Sequence, residues 1–141
     1  MKILYIFFGI AILLGIYFYY TTPHSFPIGL IFVNNKTYLS YFALNLSQQE
    51  QGFMNATYPG LGNMVFVFNS TSNHCFWMHD TKFPLNVYWL VNGVVVYSAT
   101  LPAESDTPVC HISNAVLEST YLIPKTSISW SIFSFDGWLI D

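Results

Sequence analysis

Three polar residues stand in a row near the middle of the chain, His79, Asp80 and Thr81, and Asn86 follows five positions on. A histidine beside a carboxylate can move a proton or orient a polar ligand. Trp77, just upstream, offers a flat apolar face against which a sugar ring can lie. Carried on a loop between strands, Trp77, His79, Asp80, Thr81 and Asn86 would form a polar cluster at the mouth of a cleft. The opposing reading is local. Asp and Thr side chains commonly hydrogen-bond the backbone of turns, and that is the primary expectation for Asp80 and Thr81.

Other constellations carry less chemistry. His74, His79, Asp80, Asp106 and His111 are all of metal-ligating type, but no pair has zinc-motif spacing. His74 and His79, five apart on a strand, would point to opposite faces. No metal and no cofactor is expected. There is no G-x-S-x-G elbow for a serine hydrolase. No spacing among the seven acids pairs two of them as glycosidase carboxylates. Most of Trp77, Trp89, Trp130 and Trp138 should fill a core. Trp77 and Met78, adjacent on a strand, should face opposite ways.

Cys75 and Cys110 are the only cysteines. Two cysteines in an exported domain favour a disulfide. Closing a loop of about 36 residues stabilises by about 3.8 kcal/mol in the chain-entropy model. Two buried free thiols are the alternative. A cysteine nucleophile would need an activating histidine and a reducing compartment, and His74 and His111 do adjoin the thiols.

Export is expected from the N-terminus. Residues 3–20, ILYIFFGIAILLGIYFYY, carry no charge. As a helix they would span about 27 Å, close to a hydrocarbon core of about 30 Å. Lys2 precedes the run and the next charge is Lys36, so the N-terminus should stay cytoplasmic while the remainder crosses. Tyr17, Tyr19 and Tyr20 sit where rings favour headgroups. No small-residue cleavage site follows, which favours an uncleaved anchor over a signal peptide. The expected organisation is an anchor over residues 1–22, a linker over 23–27 and an extracytoplasmic domain over 28–141, a single-pass cell-membrane protein.

Composition narrows the partners. Of 141 residues, 53% are hydrophobic, 19% aromatic and 8% charged, against about 25% charged in average chains. Disorder is excluded by that balance. Four Lys, no Arg and a net charge of -3 argue against nucleic acid, whose phosphates need clustered cations. Four N-glycosylation sequons begin at Asn35, Asn45, Asn55 and Asn69. Glycans would keep a charge-poor surface soluble. Low charge also suits an acidic exterior, where carboxylates are mostly neutral, as for an acid-loving archaeal host.

The positioning elements read as strands. Residues 28–33 and 37–44 form a hairpin about Asn34-Asn35. Ser47, with Glu50 three residues on, reads as the capping box of a short helix, and Gly52 as its end or a close contact. Strands follow over 64–68, 75–78, 85–91, 94–101, 115–120 and 127–135, with Asn92-Gly93 as a tight hairpin turn. Residues 127–135 alternate serine with Ile128, Trp130, Ile132 and Phe133 or Phe135. Seven or eight short strands and one helix predict a mainly β fold, a small antiparallel β-barrel or sandwich.

In order along the chain stand QQEQGFM at 48–54, GNMVFVF at 62–68, CFWMHDT at 75–81 followed by Pro84-Leu85-Asn86, Pro108 to Cys110, and AVLE at 115–118. Over about residues 30–120 this resembles the uncharacterised DUF192 (UPF0127) family, with its E-R-x-x-G-L-M, G-M-L-F-x-F, F-W-M-K-N-T-x-x-P-L-D, P-C and Y-V-L-E elements. His79-Asp80 replace the family's Lys-Asn, and Asn86 its Asp. Residues 121–135 replace its P-A-G turn and second helix. The resemblance implies a compact, mostly β fold and no established activity. The expected function is a non-catalytic binding or interaction module at the cell envelope, for a glycan or a protein. The alternative is an envelope enzyme acting on carbohydrate through the His79-Asp80 loop. A third reading is a subunit of a larger envelope assembly.

Overall fold

The computed structural model describes residues 2–21, 26–133 and 139–140, with side chains over 3–17 and 26–133. Ser134, Phe135, Trp138 and most of the expected linker lie outside the described residues. The element order is α1 (Lys2–Thr21), β1 (Ile28–Val33), β2 (Lys36–Ala43), α2 (Leu46–Gln51), β3 (Asn63–Phe76), β4 (Leu85–Val91), β5 (Val94–Leu101), β6 (Val109–Ser119), β7 (Ile128–Phe133) and β8 (Leu139–Ile140). The strands make one sheet in the order β5-β4-β6-β3-β2-β1-β7-β8.

Local sequence explains the two tight hairpins. Asn34 takes a φ of 54° between β1 and β2. Asn92 and Gly93 take φ of 48° and 82° between β4 and β5, the positive-φ pair that a two-residue turn requires. Two expectations need correction. The sheet is not wholly antiparallel, because β2 and β3 pair in parallel through Tyr41↔Met64 to Ala43↔Phe66. Parallel neighbours need a long crossover, and residues 44–62, including α2, supply it. Nor is the sheet a closed barrel or a two-sheet sandwich. Its β5 and β7 sides touch through one bridge, Val94↔Ser127, and the Ile128 N–H donates to the Gly93 carbonyl at 2.7 Å.

A third correction concerns β3. Residues 64–68 and 75–78 are not two strands. One strand runs from Asn63 to Phe76, with an irregularity between Val67 and Ser72 against β6. The polar stretch 69–74 lies between the two expected strands, and within it Ser72, Asn73 and His74 pair with Ser113, Ile112 and His111 of β6. Residues 127–135, unlike the family's helix, do form a strand, over 128–133.

Both faces of the central strands are buried. Along β3 and β4, Met64, Phe66, Leu85, Val87 and Trp89 join one apolar cluster. Val65, Tyr88 and Leu90 join another, with Ile31, Phe42 and Ile128. This is the period-two alternation of a strand applied to two apolar surroundings, and it explains the near-continuous apolar runs. The first cluster is covered by residues 44–62 and 77–84, through Phe53 and Met78. The second also takes Ile123 from the segment between β6 and β7.

Among the described residues no helix is long and apolar enough to cross a membrane. The described side chains of α1 span residues 3–17, about 22 Å of helix, and its large apolar side chains there are exposed.

Candidate functional site

The helix α2 is held across the sheet by its own polar residues. Its N-cap is Asn45, not Ser47: the Asn45 Oδ1 accepts from the Gln48 N–H at 2.9 Å. The Gln48 Oε1 accepts from the Asn45 N–H at 3.4 Å, so Gln48 replaces Glu50 in the capping box. The Gln49 amide donates to the Val67 carbonyl at 2.8 Å and the Ala43 carbonyl at 3.3 Å. The helix ends at Gly52, φ 49°, and Phe53 then enters the core.

Between α2, β3, β6 and residues 77–81 lies a cleft of about 410 Å³. Phe53, Phe66, Phe68, Phe76 and Trp77 line it, with Glu118. Glu118 faces this side of β6 because Val116 does and strand parity carries the direction two residues on. Its ladder neighbours are Met64 and Val87, both fully buried. Only 6% of Glu118 is exposed, and burial pushes its carboxyl up to about 8, because desolvation disfavours the charged form. Its carboxyl makes no hydrogen bond among the described residues. No sealed side-chain nitrogen or oxygen is left unpaired among them, so the Glu118 oxygens open onto the cleft.

At the rim, the His79 Nδ1 lies 2.8 Å from Asp106 Oδ1, and its Nε2 lies 3.2 Å from Asp80 Oδ2. The hydrogen bond to Asp106 raises the imidazole above its ordinary range, against a smaller lowering by desolvation, and Asp80 adds to the rise. The ring stacks on Trp77 with centroids 4.7 Å apart. Trp77 is 49% exposed while Met78 is buried, the opposed pair expected from their adjacency.

The other expected site residues divide. Thr81 lines the cleft but serves the loop. It is buried, its hydroxyl donates to the His79 carbonyl at 3.3 Å and its carbonyl accepts from the Glu104 N–H at 2.9 Å. Asp80 has a φ of 51°, and its carbonyl accepts from the Asn55 N–H at 2.9 Å, tying this loop to the α2 crossover. Its carboxylate turns to His79 rather than to the turn backbone. Asn86 is not brought to the cleft. It faces away from Leu85 and Val87, donates to the Tyr121 carbonyl at 3.0 Å and accepts from Thr100 at 2.7 Å. His74 and His79 both line the cleft, against the strand-parity expectation, because β3 ends at Phe76. His74 stacks on Phe68 and His111 on Tyr97. Among the described residues no three His, Cys, Asp or Glu side chains form a metal-holding group.

Cys75 and Cys110 stand opposite each other in the β3–β6 ladder and are joined, S–S 2.02 Å. The disulfide ties the outer arm of β3, which forms one wall of the cleft. Asn35, Asn45, Asn55 and Asn69 are all exposed.

The elements that build this cleft are the elements of one sequence pattern. The pattern of DUF192, described as an uncharacterized ACR, matches residues 30–122. The chain belongs to the DUF192 family. Two crystal structures share its fold. One is a protein from Sinorhizobium meliloti 1021 named as a proposed transcription regulator, with TM-score 0.66, 18% identity, 77% of this chain and 97% of that one covered. The other is a protein of unknown function from Novosphingobium aromaticivorans DSM 12444, with TM-score 0.62, 22% identity and 73% and 84% covered. Curated proteins provide no match. In this DUF192 chain four family elements converge on the cleft: Gly52 and Phe53 of QQEQGFM, Phe66 and Phe68 of GNMVFVF, Phe76 and Trp77 of CFWMHDT, and Glu118 of AVLE.

Glu118, last residue of the fourth converging element, is not among the residues whose spacing in the sequence suggests chemistry. Its signal was a carboxylate in phase with apolar Val116 on an alternating strand.

Proposed function

We propose that this DUF192 chain is a membrane-tethered, non-catalytic binding module of the cell envelope, and that its cleft receives a glycan. The observation that carries the reading is the cleft's build: an aromatic-lined recess with the half-exposed Trp77 indole at its rim. Pockets of this kind, mostly apolar with a few convergent polar groups, are where small ligands bind. An exposed indole face presents apolar area at low entropic cost. His79, braced by Asp80 and Asp106 and stacked on Trp77, orients hydroxyls around it.

The tether is supported by the uncharged run over residues 3–20 behind Lys2 and by the exposed apolar side chains of α1. The extracytoplasmic side is supported by the Cys75–Cys110 disulfide, which suits an oxidising compartment, and by four exposed sequons. The regulator name of the Sinorhizobium relative does not carry over at 18% identity, and four Lys without Arg disfavour a nucleic-acid partner.

Glu118 favours one second reading, an enzyme acting on carbohydrate. An acid kept protonated near neutrality is what protonation of a leaving group requires. Glu50, on the same cleft, is the other carboxyl available to such chemistry.

The test is a glycan array probed with the full chain in a sugar-free, uncharged detergent. Retention of a glycan class, lost in Trp77→Ala at unchanged melting temperature, supports the module. A blank array overturns the glycan reading, and turnover of a retained glycan moves it to the enzyme. Digestion of the domain by protease added on the cytoplasmic side would remove the envelope placement.

A further inference from the structure

The floor and walls of the cleft differ in a way that specifies a ligand chemistry. The floor is a carboxyl that no protein group partners. The walls are aromatic. Phe66 and Phe76 meet edge-to-face at 4.8 Å, and Phe68 meets Phe76 in the same manner at 6.3 Å. Trp77 stands at the rim. No lysine lines the cleft among the described residues, and the chain has no arginine.

An acid only 6% exposed is costly to ionise without a counter-charge, and no protein group supplies one here. A ligand group can relieve this only by bringing what the walls lack. Aromatic faces attract cations through their quadrupoles, most strongly where water is excluded. Carboxylate and ring faces together therefore select positive charge on an apolar body.

We infer that the cleft takes the head of an alkylammonium ligand, seated among Phe66, Phe68, Phe76 and Trp77 with the Glu118 carboxyl beneath it. This rests on the cleft being the module's binding site and narrows the glycan proposed for it to one carrying an alkylammonium substituent, the substituent seated in the cleft and the sugar at the Trp77 rim.

The other charged and titratable groups do not oppose it. Glu50 on α2 adds negative charge at the cleft. His79 is held between Asp80 and Asp106, so that group is not net positive. His74 on β3 is stacked on Phe68. From β6 and β4, Glu118 is flanked by apolar Val116 and Val87.

Entry of the cation has a proton balance. With its carboxyl raised to about 8, Glu118 enters at pH 7 as the neutral acid. Seated beside a cation it becomes the carboxylate, and its proton leaves to the buffer.

The test compares choline with 3,3-dimethylbutan-1-ol, its uncharged carbon isostere, by titration calorimetry of the full chain in uncharged detergent at pH 7. Two buffers of different ionisation enthalpy read the proton. Choline should bind at least about tenfold tighter than the alcohol and release close to one proton. Glu118→Gln should remove the release and bring the two affinities together. Equal affinities in the native chain, absence of proton release, or neither probe binding at about 20 mM would overturn the inference. If Glu118→Gln does not fold, the choline-to-alcohol ratio and the proton count of the native chain still decide. Equal binding of both probes would leave the cleft a binding site and refute only the cation. With neither probe bound, the array result with Trp77→Ala shows independently whether the module reading stands.

Discussion

Gly52 closes over Glu118. A Cβ built on Gly52 would lie 3.6 Å from the Glu118 Oε1 and 3.3 Å from the Phe66 Cζ. The end of α2 and the buried acid are thus one construction, in which the helix approaches β6 closely only because its last turn has no side chain.

Gly52→Ala should therefore destabilise the domain by about 1 to 3 kcal/mol, from the positive φ of a non-glycine residue and the tight contact with Phe66. Denaturant unfolding of the full chain in detergent measures this. A change near zero would mean that α2 does not sit this close to the sheet.

Stability should fall as pH rises. The folded protein holds the Glu118 proton up to about 8, whereas the unfolded chain releases it near 4.5. Between those values the folded state binds more protons, so raising pH favours unfolding. The full effect is of the order of 5 kcal/mol if the site stays dry. His79, raised by Asp106, acts in the same direction, its contribution being present below its unfolded pKa and lost as pH passes its folded one. Glu118→Gln should flatten most of the slope, and unfolding free energies at several pH values between 4 and 9 would show it. An unchanged slope in that variant would remove Glu118 as the source.

Replacing Cys75 and Cys110 together by serine should lower stability by about 2 to 4 kcal/mol. Mass spectrometry of the native chain should find no thiol to alkylate without reductant. The arm of β3 that carries Phe76 depends on this link, so choline affinity should weaken in the same variant.

Met78 and Trp77 should separate stability from binding. Met78 is 1% exposed, and Met78→Ala should cost about 2 to 5 kcal/mol. Trp77→Ala should cost under about 1 kcal/mol, since a half-exposed rim residue leaves no sealed cavity, yet it should abolish ligand retention. Thermal unfolding beside the binding assays reads both. A large stability loss at Trp77 would make it a structural residue.

Much of the fold was legible in residue type and spacing. Asn34-Asn35 and Asn92-Gly93 mark turns because few side chains tolerate positive φ, and the runs over 28–33, 85–91 and 94–101 became strands with those same bounds. The two cysteines paired where an exported chain would pair them. Local physics was sufficient in each case. It was insufficient at Ser47 and Glu50, because Asn45 and Gln48 form an equally good capping pair and the path of β2 selects between them. It was also insufficient for 69–74, where Ser72, Asn73 and His74 pair with β6, about forty residues away.

The site divides the same way. Trp77 and His79 were identifiable as a pair of types that could meet a ligand, and Trp77 and Met78 as an opposed pair, but only the structure shows that Met78 is the inward one. Asn86 joined them only by nearness in sequence. One step of strand parity sends it to the other face of β4, to Thr100 and Tyr121. Glu118 shows the limit from the opposite side. Its identity as an acid is in the sequence, but its lack of a partner is a property of everything that surrounds it. The alternation of β6 determines which way Glu118 points. Only the tertiary approach of Gly52 and the aromatic walls desolvates it, withholds a cation and leaves a space above it. Period and turn chemistry are local and survive in a linear reading, whereas desolvation is a sum over neighbours that the chain assembles only when it folds.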